Sequence, residues 1–480
     1  MAEESLKYKT KKGLYWKFFD QFMGYGMQFI VGIFMARMLS PSDYGITALP
    51  AVFMAVAGVF ISGGFGSALV RKETLTEEDL STAFFYSIVV GVVCYIILFF
   101  ASPYIAEFYN TPILKSLIRV TALGFLWGPL GTPQSVILNR RLDFKNPARI
   151  SVVNKIVGAV VGISMAYLGY GLWALVFSGL ISSLIGLLQT WWVVKWLPKA
   201  PFSKESFKYL WNYGNKMMGV SLLYTLYGNI VPVLLGKFGG TIDLGNYNRA
   251  SGYASMPSSN IAGVITGVSF PVLSKMQDDD ERLAYNYRKM IKVSSFVVFP
   301  VMMLLSALAY PIVITMVTVK WEACVTLLQI MCFTYMFQPM QILNVSLLNV
   351  KGRTDLSLKL EIVKKVVGAI VFIYAAINFS LEMLCVTDFL YTMFALVCNT
   401  YSTGKLINVG YFKQIKDILP SLVLGLLMFI LVFFIIKCTD ILVLQIIVGF
   451  IVGSVFYFGI SFLLKFEELN EVKYLLKRKQ

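Results

Sequence analysis

Apolar stretches of about twenty residues, separated by short polar segments, run the whole length of this chain. Fourteen can be marked: 14–36, 43–68, 80–101, 113–137, 149–168, 171–194, 207–235, 244–271, 290–311, 321–346, 355–377, 380–403, 416–436 and 440–464. A helix of that length spans the ~30 Å hydrocarbon core of a bilayer. The least regular are 113–137, which holds Pro129 and Pro133, and 244–271, which is rich in Ser and Gly. The pattern predicts an all-α polytopic membrane protein with fourteen transmembrane helices.

Basic residues fall on that map in alternation. Lys7, Lys9, Lys11 and Lys12 lead the chain, and Arg71 and Lys72 follow the second stretch. Arg140, Arg141, Lys145 and Arg149 follow the fourth, and Lys195, Lys199, Lys204 and Lys208 the sixth. The alternation continues to Lys473, Lys477, Arg478 and Lys479 in the tail. The opposite loops carry only Arg37, Lys237, Lys320 and Lys437. By the positive-inside rule both termini are cytoplasmic, and the span count is even.

Composition narrows the reading further. The chain is 57% hydrophobic and 14% charged, against roughly 25% charged for soluble domains, which excludes a soluble enzyme. The net charge of +16 is accounted for by cytoplasmic flanks, so no nucleic-acid partner is expected. Without a single His, Ser-His-Asp catalysis and His-ligated metal sites are excluded, and no metal site or cofactor is expected. None of the six Cys forms a CxxC pair, and they read as small hydrophobes. The polar start lacks a small-residue cleavage signature, so the first span is expected to serve as the targeting signal. Residues 462–480 alternate apolar and charged positions, as a helix lying on the inner membrane surface does. No loop is long and no phosphate-binding glycine run is present, so a fused ATP motor is not expected.

The chain also repeats itself. Residues 129–160 and 339–370 share eight identities in 32 positions at a constant offset of 210, including Val157-Gly158-Ala159 against Val367-Gly368-Ala369. At an offset of 200, Asp43-Tyr44-Gly45 matches Asp243-Leu244-Gly245 and Arg37 matches Lys237. Spans 1–6 thus pair with spans 7–12. Six is even, so the repeats are parallel, related by an axis along the membrane normal, an arrangement suited to alternating access across a cleft. The expected organisation is two six-helix lobes, 1–200 and 201–410, followed by two additional helices and a basic tail over 411–480.

Charges at membrane depth are costly and usually face a cavity or a partner. The candidates are Asp20, Arg119, Lys155, Lys216, Arg249, Lys364, Lys365 and Asp388. Lys155, Lys364 and Lys365 lie near cytoplasmic ends and are expected to snorkel; Arg119 has the same option outside. Arg249, Lys216 and Arg119 are the candidate contacts for an anionic cargo, because guanidinium and ammonium groups bind phosphate by charge-assisted hydrogen bonds. Asp20 and Asp388 are candidates for cavity charge or for coupling to H⁺ or Na⁺. Tyr25, Tyr224, Tyr227, Tyr247, Tyr253, Gln28 and Gln134 are candidate sugar contacts. The glycines and prolines within the spans read first as scaffold.

Several motifs carry a family resemblance: Gly13-Leu14-Tyr15-Trp16, Ala36-Arg37-Met38-Leu39-Ser40-Pro41-Ser42-Asp43-Tyr44-Gly45, Gly64-Phe65-Gly66-Ser67-Ala68-Leu69-Val70-Arg71, Asn139-Arg140-Arg141-Leu142-Asp143-Phe144 and Tyr247-Asn248-Arg249-Ala250. With them the chain resembles Wzx-type oligosaccharide flippases of the multidrug/oligosaccharidyl-lipid/polysaccharide exporter superfamily. The resemblance implies a multi-pass protein of the bacterial inner membrane that flips undecaprenyl-diphosphate-linked oligosaccharide for surface polysaccharide synthesis, driven by an ion gradient. It implies a lipid-linked oligosaccharide partner, surrounding membrane lipids, and onward contact with polymerase and chain-length machinery. Among its motifs only Arg249 matches a candidate charge. The competing readings are a multidrug or organic-cation antiporter of the same superfamily and an integral-membrane glycosyltransferase or polymerase.

Overall fold

A computed structural model describes Trp16, Asp20, Gln21, Met23, Gly24 and residues 26–471. The basic start, Tyr25 and the tail beyond 471 lie outside the described residues. Those described form helices and short connections, with no strand among them. In chain order the helices are α1 (Gly26–Met38), α2 (Pro41–Ala48), α3 (Ala51–Ser62), α4 (Phe65–Arg71), α5 (Glu77–Phe108), α6 (Leu114–Ala122), α7 (Gly124–Trp127), α8 (Thr132–Arg140), α9 (Lys145–Tyr167), α10 (Trp173–Val194) and α11 (Lys204–Gly228). They continue with α12 (Ile230–Phe238), α13 (Thr241–Ser274), α14 (Asp280–Ala307), α15 (Ala309–Val317), α16 (Ala323–Tyr335), α17 (Gln338–Val350), α18 (Thr354–Asn378), α19 (Leu381–Ile407), α20 (Tyr411–Ile435) and α21 (Leu442–Leu463). Among the described residues, ten helical stretches are long and apolar enough to cross a membrane.

The differences from the apolar pattern have local causes. The stretch 43–68 is divided, because Gly63 and Gly64 adopt left-handed φ values of 53° and 70° and turn the chain from α3 into α4; glycine takes that conformation without steric cost. The stretch 113–137 is broken into α6, α7, a 3-10 turn at Gly128–Gly131 and α8. By contrast 244–271 falls within one continuous helix, α13, despite Pro257 and Pro271. Helices also outrun their apolar cores where a cap holds them. Asp279 accepts from the Arg282 amide and starts α14 ten residues before the apolar stretch at 290. Thr76 and Asp79 form a capping box that starts α5 at Glu77. As a result the longest linker between described helices is the short segment 195–203.

By packing, the chain divides into two compact units, residues 1–245 and 246–480. This boundary lies inside α13 and marks a division of contacts rather than of the sequence repeat. In the first unit α5 packs on α3, α6, α8 and α11. Phe65, Leu69, Phe84, Val136, Trp196 and Leu210 form a buried cluster around it. Helices α9 and α10 form a close pair, with Ser178 and Ser182 donating to the carbonyls of Gly158 and Asn154 at 2.7 and 2.9 Å. Arg140, at the end of α8, donates to the carbonyls of Leu69 and Val70 in the last turn of α4 and of Lys72 and Glu73 just after it. In the second unit α14 packs on α16, α17 and α20, burying Phe296, Phe299, Met302 and Met303.

Some positions matched at the repeat offsets make comparable contacts. At the 210 offset, α9 matches α18 and α10 matches α19. Asn154 and Gln189 are hydrogen-bonded at 3.2 Å in the first pair, and their counterparts Lys364 and Asn399 at 3.0 Å in the second. Lys351, the counterpart of Arg141, donates to the Gln277 carbonyl and pairs with Asp280, much as Arg140 holds the end of α4. At the 200 offset the two matched motifs touch each other inside the first unit. A Cβ on Gly45 would overlap the Thr241 carbonyl, and one on Gly245 would overlap the Pro41 carbonyl. Ser42 and Thr241 hydroxyls are 3.0 Å apart beside this crossing.

Gly45→Ala is therefore expected to lower the melting temperature of the purified protein in detergent and reduce its membrane yield. Gly58→Ala, where a Cβ meets nothing within 4 Å, should be neutral or stabilising by about 0.5–1 kcal/mol. Equal behaviour of the two variants would remove the crossing as a constraint.

Candidate functional site

Helix α13 carries Tyr247, Arg249, Ser251, Tyr253 and Ser258 within a short run of its second-unit portion. Its residues 247 and 251 stand one turn apart, as do 249 and 253, and the two pairs are separated by about 200° around the helix. One face places Ser251 2.9 Å from the Tyr335 hydroxyl, and Ser258 donates to the Tyr335 carbonyl at 2.6 Å. Asp388, on α19, lies within electrostatic reach of Tyr247, Tyr335 and Cys385. It is partly buried and has no hydrogen bond or ion pair to a described residue. The other face directs the Arg249 guanidinium between the rings of Tyr253 and Trp321, 5.3 Å from each centroid. Trp321 is fully buried, and Cys324 lies in the field of Arg249. Both ring distances fall within cation–π range, worth ~0.5–2 kcal/mol each depending on desolvation. Arg249 and Asp388 are thus directed to different faces of α13.

The remaining candidates belong to the first unit. Arg119 is held against α5: its Nε donates to Ser102 Oγ at 2.9 Å and to the Phe99 carbonyl at 3.3 Å, and the guanidinium lies 4.0 Å from the Phe99 ring centroid. Lys216 is exposed on α11. Asp20 faces Lys155 at 3.4 Å, both about one-third exposed. Among the described residues no hydrogen bond or ion pair joins Arg119, Lys216 and Asp20 to one another. Among the candidate sugar contacts, Gln28 and Tyr224 are exposed, whereas Gln134 is buried and donates to the Trp196 carbonyl.

Two lysines depart from the snorkelling expectation. Lys155 turns to Asp20. Lys364 is buried, with 7% of its surface exposed, and its ammonium binds Glu361 and Asn399. Asn399 donates to Gln341 at 2.5 Å, and Gln341 donates to the Thr392 carbonyl at 2.9 Å. A buried ammonium persists only when paired and hydrogen-bonded, and this network supplies both. Sequence reasoning passed over Trp321, Tyr335, Gln341 and Asn399. Extending the 210 offset to Gln189 and Asn399 would have flagged the last.

Long apolar helices, short linkers and charges held inside helical units define a multi-pass membrane protein of the transporter type of fold. A sequence profile for a polysaccharide biosynthesis protein family matches residues 34–326, and the chain belongs to that family. It is 26% identical over 335 residues to the teichuronic acid biosynthesis protein TuaB of Bacillus subtilis (strain 168), covering 69% of each chain. It is 24% identical over 366 residues to the lipopolysaccharide biosynthesis protein WzxC of Escherichia coli (strain K12), covering 75% of this chain and 74% of that one. In fold it is similar to the lipid II flippase MurJ in an inward closed conformation, with a TM-score of 0.75 at 17% identity over 94% of this chain and 99% of that one.

Lys364→Met should leave Glu361 charged and unpaired, which typically costs ~3–5 kcal/mol when a buried pair is broken. It should appear as a large loss of thermal stability. Adding Glu361→Ser and Asn399→Gln to Lys364→Asn recreates the first repeat's residues at these positions and should restore most of that loss. Failure to recover would show that the two networks are not interchangeable.

Proposed function

We propose that this chain flips undecaprenyl-diphosphate-linked oligosaccharide units across the bacterial inner membrane, from cytoplasmic to outer face, for surface polysaccharide synthesis. The combination in one chain of a polysaccharide-biosynthesis family and the fold of a lipid flippase carries this reading. The relatives named above are biosynthesis proteins for teichuronic acid and lipopolysaccharide, and the structural neighbour is a lipid II flippase. The polyprenyl tail stays in lipid while the diphosphate and glycan pass through the protein. The two repeats, 1–200 and 201–410, alternate access as lobes of a fourteen-span protein, with 411–480 as an accessory pair and tail. Arg249 binds the diphosphate, with Lys216 and Arg119 meeting it at other stages. Asp388 and Asp20 take up the coupling H⁺ or Na⁺. The flipped unit passes to polymerase and chain-length machinery. No covalent chemistry takes place.

Reconstituted vesicles test the reading directly. Lipid-linked glycan loaded in one leaflet should reach the other only with the protein present, and faster with a proton or Na⁺ gradient. Transport of cationic dyes without glycan movement would instead identify an antiporter, and incorporation of labelled sugar a transferase. Arg249→Ala should lower glycan-lipid affinity by about 10–100-fold, the equivalent of one charge-assisted contact of ~1.5–3 kcal/mol. Export should fall with it while membrane insertion is retained; normal export would take Arg249 out of the site. Asp388→Asn should flatten the dependence of transport on the driving gradient, and an unchanged dependence would leave it a structural charge.

A further inference from the structure

Away from the charged clusters, a groove of 440 Å³ opens in the first unit between α4, α8 and α10. That is within the ~300–1,000 Å³ typical of small-molecule sites. Its lining contains no ionisable side chain. Two of its walls are glycines whose presence the packing does not require. At Gly66 and Gly128 an added Cβ would meet nothing within 4 Å, and neither has positive φ. Helical glycine costs roughly 0.5–1 kcal/mol relative to Ala, so here its effect is to keep the groove wide and the backbone open.

The polar groups facing the groove are hydroxyls and one amide. Ser135, Ser183 and Thr190 donate to the backbone carbonyls three or four residues earlier, those of Gly131, Leu180 and Gly186, at 3.0, 2.8 and 2.7 Å. Their oxygens are left to accept from a ligand. Ser183 is fixed further by the indole N–H of Trp127 at 3.0 Å. Asn139 and Thr132 keep side chains with no partner among the described residues, and the amide supplies both donor and acceptor. Val70, Val136 and Leu187 supply apolar surface between them. Alternating hydroxyl acceptors, an amide and aliphatic patches, with no charge, complement a neutral sugar, which presents C–H faces and a rim of hydroxyls. Polar, open backbone at membrane depth is stable where it lines a water-filled path, the route a glycan needs.

We infer that this groove is a subsite for the neutral sugar rings of the lipid-linked cargo, distinct from the cationic residues that meet its diphosphate. The inference rests on the flippase reading and adds the place where the glycan is recognised.

The test compares two probes on the intact protein in lipid nanodiscs. One is lipid-linked glycan extracted from cells lacking this protein; the other is bare undecaprenyl diphosphate. Asn139→Ala and Gly128→Leu should weaken binding of the glycan-bearing lipid about tenfold or more and leave the bare lipid unaffected. Arg249→Ala should weaken both. Asn139 is exposed, so Asn139→Ala decides the matter if Gly128→Leu fails to fold. Unchanged glycan-lipid affinity in Asn139→Ala, or equal loss for both probes, overturns the subsite while the flippase reading stands. Failure of the wild-type protein to bind either probe overturns the flippase reading and the subsite with it.

Discussion

At the end of α4, backbone carbonyls that no helix satisfies converge on one guanidinium, that of Arg140. Each broken helix in a membrane protein raises the same problem, because hydrocarbon offers no hydrogen bonds to exposed backbone. Arg140 answers it with a rigid five-donor fork that also complements the negative end of the α4 dipole. The consequences spread through the first unit. With that end fixed, the chain turns through Lys72, which pairs with buried Asp79 at 2.7 Å. Asp79 in turn caps α5, the helix on which α3, α6, α8 and α11 pack. One arginine thus links the α4 turn to the core of its unit.

The two repeats solve the pairing of their fifth and sixth helices with the same geometry and different chemistry. Asn154 and Gln189 form a neutral amide contact in the first. In the second the amide has become an ammonium, Lys364, and needs Glu361, Asn399 and Gln341 to stay buried. The same divergence marks the ends of the eighth and seventeenth helices, where the first copy uses arginine on carbonyls and the second uses Lys351 on a carbonyl and Asp280.

How much of this was legible follows from the range of each interaction. Apolar stretches announced helices α9, α10, α20 and α21 to within a few residues, because lipid selects for composition over a whole span. The ends were less legible: α14 begins at Asp280 because of a single cap at Asp279, and the apolar pattern does not register a cap. Gly45 and Gly245 stood out as a motif at an offset of 200, but nothing in the sequence says that the two motifs meet. The lysines' partners were hidden for the same reason, since Asp20 lies 135 residues from Lys155 and Asn399 lies 35 from Lys364, although Glu361 is only three residues from Lys364. Arg249 was singled out by its neighbours on α13, yet Trp321, which holds it, lies on another element.

The kind of partner each arginine has bears on what it can do. Arg288 gives two of its nitrogens to Asp417 at 2.7 Å, and a carboxylate in that geometry both occupies the donors and cancels the charge. An incoming phosphate would have to displace it. Arg119 is held by a hydroxyl, a carbonyl and a ring, which position the guanidinium without neutralising it. Arg249 lies between two rings, whose quadrupoles attract the cation. The two arginines on helices adjacent in sequence are therefore held differently, Arg249 against the rings of Tyr253 and Trp321 and Arg288 on the Asp417 carboxylate.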